Sequence, residues 1–137
     1  MTRYLLLPFL SRGEDAALLA LRLGAGAFLL DGVWDNIISA ARMAEVAAFL
    51  RANGFAGADV WAPFSVWTQF AAGVLLALGL LTRWAGLVIA ITFAVALWMV
   101  HWDQSLRDWW PALALLLIGA YCAARGGGRY ALDTLLR

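Results

Sequence analysis

The sequence predicts an all-α membrane four-helix bundle, forming a single domain over residues 1–137, with the N- and C-termini cytoplasmic and a short amphipathic helix between spans one and two. Three observations carry this. Hydrophobic residues make up 64% of the chain and charged residues only 14%, against about 45–50% and about 25% in ordinary soluble domains. A domain this small exposes much of its surface and could not hide so much apolar side chain from water, so the bilayer is its expected solvent. Second, three segments are free of charge over near-membrane lengths: 64–81 with 18 residues, 84–100 with 17 and 109–124 with 16. Third, the arginines fall on one side once the helices are laid out.

Span one covers about 16–38. It is apolar from Leu23 to Leu30 but carries Arg22, Asp31 and Asp35. Arg22 lies in its inner half, from where its long stem can carry the guanidinium to the cytoplasmic headgroups. Residues 4–10 are too short to cross, end around Pro8 and read as an interfacial lead-in rather than a cleaved leader. Spans two, three and four are predicted at about 64–81, 84–101 and 109–124; at about 1.5 Å per residue their uncharged runs reach ~24–27 Å, just short of the ~30 Å hydrocarbon core until flanking residues are added. Thr82-Arg83 is the predicted turn of a tight hairpin between spans two and three. Asp59 with Pro63, and Asp108 with Pro111, mark helix starts.

Between spans one and two, Met43, Val46, Ala47 and Leu50 recur at i, i+3, i+4, i+7 among Arg42, Glu45 and Arg51, and Asn53-Gly54 reads as a C-cap. This predicts a short amphipathic helix lying on the membrane surface or folded over the bundle. With a cytoplasmic N-terminus, Arg3, Arg12, Arg83, Arg125, Arg129 and Arg137 fall inside and Arg42, Arg51 and Arg107 outside. Six against three fits the positive-inside rule. Cys122 is then expected near the inner end of span four.

The same layout places seven of the eight tryptophans on the outer side, leaving Trp84 inside. Aromatic belts ordinarily form at both interfaces. At the outer level stand Asp31, Trp34, Asp35, Trp67, Gln69, Trp98 and His101, which make the candidate ligand-binding set. Asp31 is the strongest candidate, because an ionisable group within a span is expensive and ordinarily faces a partner or a wet cavity; Asp35 lies one turn away on the same face. The plainer readings are anchoring for the tryptophans, solvation for Asp35, capping for His101 and helix-to-helix hydrogen bonding for Gln69. Gly73 and Ala77, and Gly86, Ala90 and Ala94, are spaced by four and allow close helix approach.

Composition also excludes functions. The near-balanced charge, +1 overall, carries no basic stripe for nucleic acid. One cysteine, Cys122, excludes an intrachain disulfide and a CxxC redox pair, and one histidine, His101, excludes bis-histidine haem ligation within one chain. No catalytic residue and no metal ligand set is expected, and the absence of an inverted repeat disfavours a self-contained monomeric transporter.

The chain resembles the DoxX family of small four-span membrane proteins. The resemblance rests on LRLGAGAFLLDG at 21–32, on GVLLALGLLTRWAGLVIA at 73–90 with its Leu-Thr-Arg turn, on His101, and on the tail GGGRYALD at 126–133. The family pattern commonly carries histidine and lysine near the end of span one, where this chain has Asp31 and Asp35, and glutamate early in span two, where it has Gln69. The resemblance implies a bacterial or archaeal cytoplasmic membrane protein that acts as an accessory subunit of a quinone-linked redox complex, with membrane lipids and other membrane subunits as partners. In that reading the outer set holds a quinone or a bound lipid, with no covalent cofactor. The alternative is a purely structural protein that packs against partner subunits and lipids.

Overall fold

A computed structural model describes residues 7–100 and 105–137. Among these the chain is all-helical. Five α-helices follow one another as α1 (Glu14–Ile38), α2 (Ala40–Ala52), α3 (Ala58–Leu78), α4 (Thr82–Val100) and α5 (Leu106–Arg125), with short 3-10 helices at Pro8–Gly13 and Leu132–Leu136. Three described helices are long and apolar enough to cross a membrane: Pro8–Ile38, Ala58–Leu78 and Thr82–Met99. The predicted fourth span, 109–124, is helical throughout, but Arg107, Asp108 and Arg125 flank it and Trp109-Trp110 soften its start, which keeps α5 outside that set.

Helices α3 and α5 begin one turn or more before their uncharged stretches. Asp59 and Asp108 sit in these first turns, where a carboxylate meets the positive end of the helix dipole. Pro63 and Pro111 therefore lie inside their helices rather than at the starts the sequence suggests. Helix α1 ends at Ser39, whose extended backbone (φ −125°) turns the chain and whose hydroxyl accepts the Arg42 N–H to cap α2. Helix α2 packs against α3 and α1, so the amphipathic segment is folded over the bundle.

Two close crossings set the packing. Helix α1 runs against α3 with Gly26 at Gly73, where a Cβ at residue 26 would stand 2.8 Å from the Gly73 carbonyl oxygen. Helix α4 runs against α5 with Gly86 at Gly119, where a Cβ at 86 would stand 2.6 Å from the Gly119 oxygen. In a lipid environment such contact replaces the hydrophobic driving force that water would supply. Of the small residues singled out from sequence, Gly73, Ala77, Gly86 and Ala90 serve these crossings, and Ala94 faces outward. Leu18, Leu29, Leu76, Ile89, Leu115 and Cys122 form the buried centre.

One end of the molecule is closed by the tail. The α3–α4 turn is Gly79–Leu81 rather than Thr82-Arg83. Gly79 takes the left-handed backbone that ends α3 (φ 72°), and Leu81 follows at φ 48°. Asp133, reaching back from the tail, accepts the N–H of Leu81 at 2.6 Å and of Thr82 at 2.9 Å, and its own N–H donates to the Gly79 carbonyl at 2.9 Å. A residue 51 positions away thus caps the start of α4. Arg22 does not snorkel. It is 0% exposed, and its guanidinium donates to the carbonyls of Leu76 (3.1 Å), Ala77 (3.4 Å) and Tyr130 (3.2 Å), tying the last turn of α3 to the tail. Arg125 bonds Glu14 at 2.6 Å, and the Arg129 N–H donates to Asp15, so the beginning of α1 and the chain's C-terminal segment lie together.

Burial pushes the Asp133 carboxyl up, but hydrogen bonds from Thr82 and Leu81, with Arg137 nearby, more than reverse it and hold the group below its usual 3.8. A carboxyl lowered by folding contributes stability above its unfolded pKa and loses it as pH falls through the folded value. Asp133→Asn is therefore expected to cost about 1 kcal/mol near neutrality, the weight of a helix cap. In thermal unfolding the gap between the two proteins should narrow as the pH is taken below 3.8.

Candidate ligand-binding cavity

At the end of the molecule opposite the tail, α2, α3 and α4 border a half-open cavity of about 380 Å³. That volume lies within the ~300–1,000 Å³ of small-molecule sites. Helix α3 supplies Trp61, Phe64, Ser65, Thr68 and Gln69, which share one helical face at i, i+3, i+4, i+7, i+8. Helix α4 supplies the matching stripe Ile91, Thr92, Val95, Ala96 and Met99. Helix α2 and the loop after it lay Val46, Phe49, Leu50 and Phe55 over the top. The Arg51–Asp59 ion pair, 2.8 Å, ties the end of α2 to the start of α3 across this roof.

Among the described residues the lining contains no ionisable side chain; its polar groups are Ser65, Thr68, Gln69 and Thr92. The Ser65 hydroxyl is already committed to the Ala62 carbonyl at 3.0 Å. Trp61 packs edge-on against Phe64 with ring centroids 5.5 Å apart, forming an aromatic rim.

Of the seven residues picked out from sequence, Gln69 lines this cavity. Asp31 and Asp35 lie on the exposed side of α1, because the buried stripe of that helix runs through Leu18, Arg22, Ala25, Gly26, Leu29 and Val33. Trp34 is beside them and half-exposed. Trp67 points outward and stacks edge-on against Phe70 at 5.7 Å. Trp98 is 71% exposed on α4. None of these five is in the cavity lining. His101 lies outside the described residues. The residues that do form the cavity stand in the sequence as two stripes of mixed aromatic, aliphatic and hydroxyl or amide side chains at helical spacing in 61–69 and 91–99, a weaker signal than the tryptophans and charges at the interface.

These features define a small multi-pass membrane protein whose cavity opens among helices rather than in a soluble domain. The DoxX family model matches residues 17–102, and the chain belongs to that family. The matched stretch includes α1 from residue 17, all of α2 to α4 and every described residue of the cavity lining; α5 and the tail lie beyond it. No curated protein and no solved structure matches the chain.

Proposed function

We propose that this protein is an integral accessory subunit of a quinone-linked redox complex in a bacterial or archaeal cytoplasmic membrane, and that its outer cavity takes a quinone or a bound lipid. The observation that carries the reading is the aromatic-rimmed cavity between α2, α3 and α4, whose described lining is uncharged, a shape and polarity suited to a flat, apolar-tailed ring. Membership of the DoxX family supports the membrane setting. The redox assignment rests on the family resemblance of the sequence. In this reading α5 crosses as the fourth span and both termini are cytoplasmic, with the tail latch on the cytoplasmic side.

The orientation has a direct test. Cys122 is 0% exposed and unsuited to labelling, so single cysteines are placed at Val60, 72% exposed near the cavity end, and at Leu135, 79% exposed in the tail, in a Cys122→Ala background. A membrane-impermeant maleimide applied to intact cells should label Val60→Cys at once and Leu135→Cys only after permeabilisation. The reverse pattern, or equal labelling, contradicts the orientation.

A specific observation also favours the structural alternative. The chain's closest glycine crossings are consumed internally, yet α1 and α5 scarcely touch, leaving between them an apolar groove of about 460 Å³ that includes Gly24, Phe28, Trp110 and Ala114. A partner helix could seat there. Purification in mild detergent discriminates: a stoichiometric partner lost from Gly24→Leu but retained by cavity variants supports the packing role.

A further inference from the structure

Resting on the reading that the α2–α3–α4 cavity takes an apolar-tailed ligand, we infer that the ligand enters head-first: an uncharged carbonyl- or hydroxyl-bearing head is held at mid-membrane depth by Gln69, and the tail leaves past the aromatic rim. The polarity of the cavity runs opposite to that of the bilayer. Thr68 and Gln69 lie at the middle of the candidate span Ala58–Leu78, and Thr92 lies at the middle of α4. Trp61, Phe64 and Phe49 stand toward the outer end, and Trp61 is about 12 Å from Gln69 along α3. A phospholipid keeps its headgroup at the interface and its methyl ends at mid-depth, so it would set hydrocarbon against the amide and threonines and its polar head against the aromatic roof.

Gln69 carries the largest polar group of the described lining. Its carboxamide offers two donors and a two-lone-pair acceptor, and no hydrogen bond to it is found among the described residues. Threonine hydroxyls within helices can return to a carbonyl of the preceding turn, whereas a glutamine amide at this depth must find its partner elsewhere. A neutral head supplies that partner. An ionised head would meet no countercharge among the described lining residues, and burying an unpaired charge there is far costlier than leaving it in the headgroup layer.

The test uses the full chain in nanodiscs, with decylubiquinone as the neutral-head probe, and decanoate at pH 8 and phosphatidylglycerol as the charged-head and lipid probes. Binding is read by native mass spectrometry on three proteins: wild type, Gln69→Leu, and Ala96→Phe, which fills the cavity from α4. The expected result is decylubiquinone binding that neither decanoate nor the phospholipid displaces, weakened about tenfold by Gln69→Leu and abolished by Ala96→Phe. Unchanged monodispersity and helicity of Gln69→Leu, which adds only apolar character in an apolar setting, separates lost binding from lost folding. If Ala96→Phe abolishes binding and Gln69→Leu leaves it intact, the cavity is a ligand site but the head-first placement is wrong. Displacement by phospholipid or decanoate also overturns the inference while leaving the cavity reading in place. Binding indifferent to both variants overturns the cavity reading itself.

Discussion

Gly119→Val is expected to separate α4 from α5 and to cost about 3 kcal/mol or more. A Cβ at residue 119 would stand 2.7 Å from the Gly86 carbonyl oxygen and 2.8 Å from the Ala90 nitrogen. Both obstacles are backbone, so no side-chain rotation relieves them, and the helices must move apart along their main contact. Overpacking a close interface ordinarily costs about 1–3 kcal/mol, and a branched side chain between two backbones belongs at or beyond the upper end of that range. In a lipid environment the lost close packing is not offset by any hydrophobic gain. Gly24→Ala is the matched control. A Cβ there meets nothing within 4 Å, and alanine is the better helix former, so that variant should be neutral or slightly stabilised. Denaturation in graded sodium dodecyl sulfate, followed by loss of near-ultraviolet circular dichroism, reads both. Equal midpoints for Gly119→Val and wild type contradict the crossing.

Arg22→Met carries the second large effect, about 3–4 kcal/mol. Methionine nearly matches the stem of arginine but removes the guanidinium from the Ala77 and Tyr130 carbonyls and from that of Leu76, which keeps the Gly79 N–H at 3.2 Å. Replacing a buried charged pair by apolar residues is often harmless because both partners go. Here the three carbonyls remain. Arg22→Lys should recover only part of the loss, since one ammonium cannot span the two sets of carbonyls that the two terminal nitrogens of the guanidinium reach separately. The latch gives a second readout. With Arg22 replaced, Tyr130 loses its tie and the backbone after Arg129 becomes open to trypsin, so tail cleavage should accelerate in the same variants that lose stability. Because Arg22 and Asp133 hold the same turn, their effects should be less than additive. Strict additivity, or a tail as resistant as in wild type, contradicts the latch.

The local features of the fold were legible in the sequence and the long-range ones were not. Span one was placed at 16–38 and α1 runs Glu14–Ile38; the amphipathic repeat at Met43, Val46, Ala47 and Leu50 marked α2 (Ala40–Ala52). Charge-free windows located α3 and α5 but missed their first turns, because Asp59 and Asp108 are favourable at a helix start while they interrupt an uncharged run. Thr82-Arg83 reads as a turn because it is the pair that separates two uncharged runs. The cap is Asp133, far along the chain. Arg22 looked like a snorkelling residue because its acceptors, main-chain carbonyls of α3 and the tail, leave no trace in side-chain patterning. The candidate site divided in the same way. Gln69, which reads from sequence as one of the polar residues at the outer level, lines the cavity, whereas Asp31 and Asp35 are one turn apart as expected but on the outward face of α1, a rotation that only the α1–α3 packing sets.

On the function proposed above, the working surface of this DoxX-family chain is the cavity under α2. Photolabelling with an azido-substituted quinone in native membranes, followed by peptide mass spectrometry, tests it most directly. Adducts are expected to concentrate on the facing stripes at 61–69 and 91–99 and on Phe49 or Phe55, competed by excess unlabelled quinone. Competable adducts confined to the α1–α5 groove, or uncompeted labelling spread over the lipid-facing residues Trp34, Trp67 and Trp84 with the two stripes clear, would contradict it.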